Sequence, residues 1–63
     1  MKIRIGTKLV CKASGIIIVV DRLDVEANHN EIIRVVVQTR DKDSGLVRFM
    51  SPTEIVRNYR VQA

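Results

Sequence analysis

The segment MSPTEIVRNY, residues 50–59, places a helix start inside a chain that is otherwise typical of β-strands. Ser51, Pro52 and Glu54 form an S-P-x-E pattern. Ser51 can cap the free N–H groups of a helix start, Pro52 suits the first helical position, and Glu54 can complete a capping box. Because the chain becomes extended again at YRVQA, residues 59–63, the pattern predicts one helical turn, of 3₁₀ or single α type.

The residues before this segment divide into short strands and turns. Residues 2–5, KIRI, alternate charge with isoleucine and predict a half-buried strand. KLVCK, residues 8–12, continues in extended form, and ASG, residues 13–15, predicts a turn. The run IIIVV, residues 16–20, is β-branched throughout, which predicts a strand that needs cover on both faces.

The central part of the chain predicts a hairpin. DVEANHN, residues 24–30, is typical of a polar loop, and EIIRVVVQTR, residues 31–40, of a long strand. DKDSG, residues 41–45, predicts a hairpin loop in which Gly45 can adopt a positive φ. LVRFM, residues 46–50, is the returning strand. We find no internal repeat.

Strand alternation and the position of the helical turn predict which side chains face the core. Cys11 is expected to be a small buried apolar residue. The predicted core residues are Leu9, Cys11, Ile33, Val35, Val37, Thr39, Val47, Phe49, Ile55 and Val56.

Four strands, a hairpin, one short helical turn and a final strand resemble the SH3-like small β-barrel. The resemblance implies an all-β, five-stranded barrel formed by residues 1–63 as one domain, with the last strand near the first. SGIIIVVD, residues 14–21, resembles the pattern of the KOW type, in which a glycine precedes an apolar strand. The outline also resembles plasmid-type dihydrofolate reductase, but VVVQTRD, residues 35–41, lacks the Ile-Tyr of that enzyme's Val-Gln-Ile-Tyr motif, so its activity is not carried over.

Composition argues against several classes of protein. With one cysteine, Cys11, and one histidine, His29, the chain offers no intramolecular disulfide and half of the four ligands of a structural zinc site. The longest apolar run has five residues, which is too short to span a bilayer. His29 lies in a polar loop, and the acidic residues lie at loops and strand ends. We therefore expect a cytoplasmic, non-enzymatic protein with no cofactor, metal or membrane partner.

The charge distribution favours nucleic acid as a partner. The net charge is +4, and both ends of the chain are basic. In the predicted fold these ends meet, and their side chains can contact a phosphate backbone. Tyr59 either stacks on a base or packs at the barrel seam. The candidate contact residues are Lys2, Arg4, Lys8, Lys12, Arg34, Arg40, Arg57, Tyr59 and Arg60. The sequence thus predicts an accessory or regulatory protein that contacts the nucleic-acid backbone.

A protein-interaction or homo-oligomer-forming module is the alternative. The strand at residues 16–20 is apolar on both faces, and Ile32 and Val36 lie on the non-core face of the next strand. These apolar side chains exceed what one barrel interior can bury, so they predict an exposed apolar patch that another protein or a second copy would cover. Strand curvature and the stems of arginine and lysine could cover the same surplus. A dimer would also present a doubled basic face, so the two functions are compatible.

Overall fold

A computed structural model describes residues 3–28 and 31–62, with side chains for residues 3–25 and 35–62. The strands are antiparallel and follow the order β4-β3-β2-β1-β5 across one sheet. The elements are β1 (Lys8–Cys11), β2 (Ile17–Asn28), β3 (Glu31–Asp41), β4 (Val47–Met50), α1 (Pro52–Asn58) and β5 (Tyr59–Val61). The all-β class and the pairing of the last strand with the first are confirmed. In the described part of the chain, β4 and β5 are the outer strands and the sheet is open.

The helix begins as the sequence predicts. Ser51 Oγ accepts a hydrogen bond from the Glu54 N–H at 3.2 Å, and Pro52 lies in the first turn. Ile55 is fully buried, as predicted, whereas Val56 is 54% exposed and does not close the core. The predicted single turn is wrong, because α1 is a seven-residue α-helix of about two turns.

The C-terminal turn of α1 is held by Lys12, the residue that follows β1. Lys12 Nζ donates to the carbonyls of Val56 and Arg57, both at 3.4 Å. The Lys12 N–H donates to the Asn58 carbonyl at 2.9 Å. These carbonyls have no partner within the helix, and Lys12, in the turn that follows β1, supplies one. No local pattern in residues 51–58 contains this support, which accounts for the underestimated helix length.

The core lies between one face of the sheet and α1. It consists of Leu9, Ile18, Val20, Val37, Met50, Ile55 and Tyr59, with Ile3 and Cys11 partly buried against it. Thr39 is also buried, and its hydroxyl donates to the Arg48 carbonyl at 3.3 Å. The predictions for Leu9, Val37 and Thr39 are confirmed, whereas Val35 is half-buried. The side chain of Ile33 lies outside the described residues.

The predicted facing of β4 is wrong. Met50 pairs with buried Val37, and Arg48 pairs with buried Thr39. Because directly opposite residues share a face, Met50 and Arg48 lie on the core side. Phe49 is 65% exposed and Val47 is 46% exposed, on the other side. Alternation alone allowed either assignment, and the pairing with β3 selected the one that buries Met50.

The N-terminal strand predicted at residues 2–5 is wrong for residues 3–5, and Lys2 lies outside the described residues. The backbone turns here, with the Thr7 N–H donating to the Arg4 carbonyl and the Arg4 N–H donating to Thr7 Oγ1, both at 3.0 Å. Ile3 is partly buried against the core, while Ile5 is 68% exposed. A turn closed by the Thr7 side chain therefore replaces the expected alternation.

Strands β2 and β3 form a long ribbon. The predicted loop at residues 24–30 is wrong for residues 24–28, which belong to β2, and His29 lies outside the described residues. Register shifts lie between Val20 and Arg22 and between Glu26 and Ala27. The described residues extend over 39 × 21 × 17 Å with a radius of gyration of 12.0 Å, above the roughly 11 Å of a compact chain this long. The ribbon makes the domain elongated.

Candidate nucleic-acid interface

A cleft of about 670 Å³ lies between β4 and the segment where β1 ends, α1 ends and β5 begins. It lies along the edge of the sheet formed by β4, which is an outer strand. We call it the seam cleft. The lining residues that matter for its chemistry are Cys11, Lys12, Arg48, Phe49, Glu54, Arg57 and Tyr59.

The charged lining of the seam cleft is predominantly basic. Lys12, Arg48 and Arg57 are exposed cations, and Glu54 is the carboxylate among the described lining residues. Arg48 and Arg57 form no ion pair with any described side chain, since the ion pairs there are Arg22–Asp24 and Arg40–Asp21. The guanidinium groups of Arg48 and Arg57 are therefore free to bind an anion.

Of the two aromatic side chains, one is buried and one is exposed. Tyr59 is 8% exposed and packs in the core, so the packing alternative for this residue is confirmed. Phe49, predicted in the core, is 65% exposed at the edge of the seam cleft. The sequence contains one tyrosine, one phenylalanine and no tryptophan. Because Tyr59 is buried, Phe49 is the exposed aromatic side chain among the described residues.

A second basic surface, the outer row, lies on the face of the sheet away from the core. Lys8 and Arg40 both pair with Val19 from opposite sides, and Arg60 pairs with Val10. Since neighbouring strands lie about 4.8 Å apart, these three cations share a band across four strands of the sheet. Arg40 Nη2 lies 3.6 Å from Asp21 Oδ1, which offsets part of the charge of this row.

The structure thus divides the nine predicted contact residues. Lys12, Arg57 and Tyr59 line the seam cleft, and Lys8, Arg40 and Arg60 form the outer row. Arg4 is exposed in the N-terminal turn. Arg34 pairs with Glu26 in the ribbon, and its side chain, like all of Lys2, lies outside the described residues.

Among the described side chains of the ribbon, the exposed large apolar ones lie on the face opposite to Val36. Val36 pairs with Asp24 and is half-buried, and the side chain of Ile32 lies outside the described residues. On the face that continues the core, Leu23 is 37% exposed and Val25 is 57% exposed. The bulge after Val20 sets this facing, because one extra residue changes the alternation along β2.

Cys11 lies at the end of β1 between the core and the seam cleft. The hydroxyl of Ser14 lowers the pKa of the Cys11 thiol, and the backbone N–H groups of Ser14 and Ala13 and the charge of Arg48 act in the same direction. The thiol is half-buried rather than fully buried as predicted. Within the described residues no three His, Cys, Asp or Glu side chains are grouped as a metal site would require, and no helix is long and apolar enough to cross a membrane.

A scan against protein-family models finds no family that matches this chain, and searches of curated proteins and of solved structures find no match either. The site therefore rests on its own chemistry. Sequence reasoning did not single out Arg48 and placed Phe49 in the core. The signal that could have found both is Met50, which directly precedes the Ser51 cap: a buried residue at that position turns Phe49 outward.

Proposed function

We propose that this protein is a non-enzymatic binding module, an accessory or regulatory protein that holds the phosphate backbone of a nucleic acid in the seam cleft. One observation carries the proposal: Lys12, Arg48 and Arg57 line a single concavity and face one described carboxylate, Glu54.

Concave basic surfaces attract anions more strongly than flat ones, because the low-dielectric walls concentrate the field of the charges. The planar guanidinium groups of Arg48 and Arg57 can each donate two parallel hydrogen bonds to a phosphate. Lys12 Nζ is held at the helix carbonyls of Val56 and Arg57, so its charge is fixed at the wall of the cleft. The arrangement favours contact with phosphate over recognition of base edges.

We further propose that the fold is an open variant of the SH3-like barrel. The short helix immediately before the last strand and the pairing of β5 with β1 support this assignment. The sheet covers a single core, and the seam cleft lies where closure of the barrel would bring β4 towards the helix end. An SH3-like fold is compatible with many functions, so the proposed function depends on the cleft itself.

An NMR titration of labelled protein with a mixed-sequence DNA duplex and an RNA hairpin tests the proposal. We expect shifts at Lys12, Arg48 and Arg57 that weaken as salt is raised. Arg48→Gln should reduce the slope of log affinity against log salt by about 0.7–0.9, the value for one phosphate contact.

The matched control is Arg22→Gln, which removes the same charge from an exposed residue on the ribbon. It should leave the salt slope unchanged. Equal effects of Arg22→Gln and Arg48→Gln, or shifts confined to Lys8, Arg40 and Arg60, would contradict binding in the seam cleft.

Self-association through the ribbon is the second candidate function, because Leu23 and Val25 are exposed side by side on the face that continues the core. A second copy covering them would stabilise a domain that is small for a single core. Sedimentation should then give a mass above one chain, and Val25→Glu should restore the monomer while Val36→Glu, on the opposite face, has the smaller effect. A mass of one chain at high protein concentration rules out this candidate.

A further inference from the structure

We propose that the free edge of β4 binds an extended segment of a partner protein in which acidic and apolar residues alternate, as an additional antiparallel strand of the sheet. This inference goes beyond the proposed function, because it assigns a partner to the backbone of β4 and to both faces of that strand.

The backbone of β4 is the first argument. β4 is an outer strand, and among the described residues no further strand pairs with it. The Leu46 carbonyl accepts a hydrogen bond from the last residue of β3 at 2.9 Å, and the Arg48 carbonyl accepts one from the Thr39 hydroxyl at 3.3 Å. Because alternate residues of an antiparallel strand direct their backbone groups to opposite sides, the N–H and carbonyl groups of Val47 and Phe49 are directed at the open edge. An added strand would pair with these groups.

The side chains of β4 are the second argument. Arg48 lies on the core side of the strand, whereas Val47 is 46% exposed and Phe49 is 65% exposed on the other side. Directly opposite residues of paired strands share a face. Every second side chain of an added strand would therefore lie beside Arg48, and the others would lie beside Val47 and Phe49. A segment that alternates acidic and apolar residues complements both faces.

The charge on the core side selects an acidic segment. Arg48 and Arg57 line the seam cleft and form no ion pair with any described side chain, and Glu54 is the carboxylate among the described lining residues. A carboxylate placed on this side gains charge-assisted hydrogen bonds. A charged side chain on an edge strand ordinarily prevents pairing with other strands. Arg48 would thus exclude basic segments and admit acidic ones.

The β4 strand of a second copy does not meet this requirement. If two β4 strands paired antiparallel with Val47 opposite Phe49, the two Arg48 side chains would lie directly opposite each other. Like charges in that position are destabilising. We therefore assign the edge to a segment of another protein.

Fluorescence anisotropy with three labelled peptides tests the inference. Each peptide has about six residues, the usual length of a strand. The first alternates glutamate and valine, the second contains the same residues in separate blocks, and the third alternates lysine and valine. We expect the first peptide to bind more tightly than the other two.

Backbone methylation separates strand addition from the binding of charge alone. In the antiparallel arrangement, valines opposite Val47 and Phe49 direct their N–H groups at β4, whereas the glutamates direct theirs at solvent. N-methylation of the valines should therefore abolish binding, and N-methylation of the glutamates should preserve it. Binding should also slow the hydrogen exchange of the Val47 and Phe49 amides.

Substitutions on the two faces of β4 test the two chemistries. Arg48→Gln should weaken binding of the alternating glutamate peptide by roughly 1.5- to 5-fold, the value of one cross-strand charge pair. Arg48→Glu should reverse the preference between the glutamate and lysine peptides. Phe49→Thr should weaken binding while keeping a residue suited to strands. Arg22→Gln removes a charge from the ribbon and should leave binding unchanged.

The possible results distinguish this inference from the proposed function. If the block peptide binds as tightly as the alternating one and neither methylation has an effect, strand addition is refuted while anion binding in the seam cleft stands. Loss of binding only on methylation of the glutamates would overturn the antiparallel arrangement. If the glutamate peptide does not bind but nucleic acid shifts Lys12, Arg48 and Arg57, this inference alone fails. If the peptide binds as expected and nucleic acid does not, the proposed function alone fails.

Discussion

Two hairpin tips in this protein share one backbone geometry and differ in their first side chain. Residues 11–16, CKASGI, begin with the last residue of β1, and residues 41–46, DKDSGL, begin with the last residue of β3. In each tip the glycine N–H donates to the carbonyl of the first residue, at 2.9 Å and 3.0 Å respectively. In each, the serine Oγ accepts a hydrogen bond from the residue after glycine, at 3.3 Å and 3.2 Å. The shared K-x-S-G pattern produces a local structural repeat that the sequence analysis missed.

The first residue of each tip determines its chemistry. Asp41 Oδ1 accepts the N–H groups of Asp43 and Ser44 at 2.8 Å and 2.9 Å, and these bonds lower the pKa of its carboxyl. Cys11 occupies the equivalent position, and the corresponding donors of Ala13 and Ser14 lower the pKa of its thiol. Cys11 also packs against the core, where a carboxylate would lose hydration. The comparison shows that serine and glycine establish the turn and that the surroundings select its first residue.

The largest expected effect comes from the two glycines. Gly15 and Gly45 both have a φ of 76°, and a Cβ at either position meets nothing within 4 Å. Gly15→Ala and Gly45→Ala should therefore each cost about 1–2 kcal/mol from backbone strain alone, out of a total stability of roughly 3–9 kcal/mol for a chain of this length. Urea unfolding measures both.

Asparagine tolerates this backbone region, so Gly15→Asn and Gly45→Asn should cost less than the alanine variants. If the two alanine variants differ by more than about 0.5 kcal/mol, the limit within which such measurements usually agree, the tips are not energetically equivalent.

The second-largest expected effect is a loss of unfolding free energy at low pH that depends on Asp41. Because the folded-state pKa of Asp41 is lowered, its stabilising contribution is complete above the unfolded pKa of about 3.9 and disappears as the pH falls through the folded pKa. Asp41→Asn should therefore be less stable than the original chain at neutral pH, and the two unfolding free energies should converge below about pH 4. Asp43→Asn removes the same charge from the same tip and is the control. A constant difference across this pH range would show that the carboxylate contributes nothing.

The smallest expected effect concerns the thiol. The Ser14 hydroxyl is the largest cause of the lowered pKa of Cys11, so Ser14→Ala should raise that pKa towards the ordinary value. The rate of iodoacetamide alkylation as a function of pH reports the change. Ser44→Ala truncates the equivalent serine of the other tip and should leave the thiol unaffected. A shift of the alkylation profile in both variants would point to a change in the whole sheet.

Local patterns predicted those parts of the fold that local interactions stabilise. The Ser51 cap, the Pro52 start, the turns at residues 13–15 and 41–45 and the burial of Val37 and Thr39 follow from capping, positive-φ glycine and alternation. The candidate site was predicted only in part. Lys12 and Arg57 were identified by charge, whereas Arg48 and Phe49 depend on how β4 pairs with β3.

The sequence by itself determined an all-β chain with one capped helix and an excess of basic side chains, because propensity, turn chemistry and charge belong to neighbouring residues. The tertiary structure decided the facing of β4, the extent of the β2–β3 ribbon and the support of the helix end by Lys12. Each of these depends on pairing between residues far apart in the chain, and a shift of one residue in such a pairing exchanges the core face with the solvent face. The same pairing buried Met50, placed Arg48 on the core side of β4 and left Phe49 exposed on the other side.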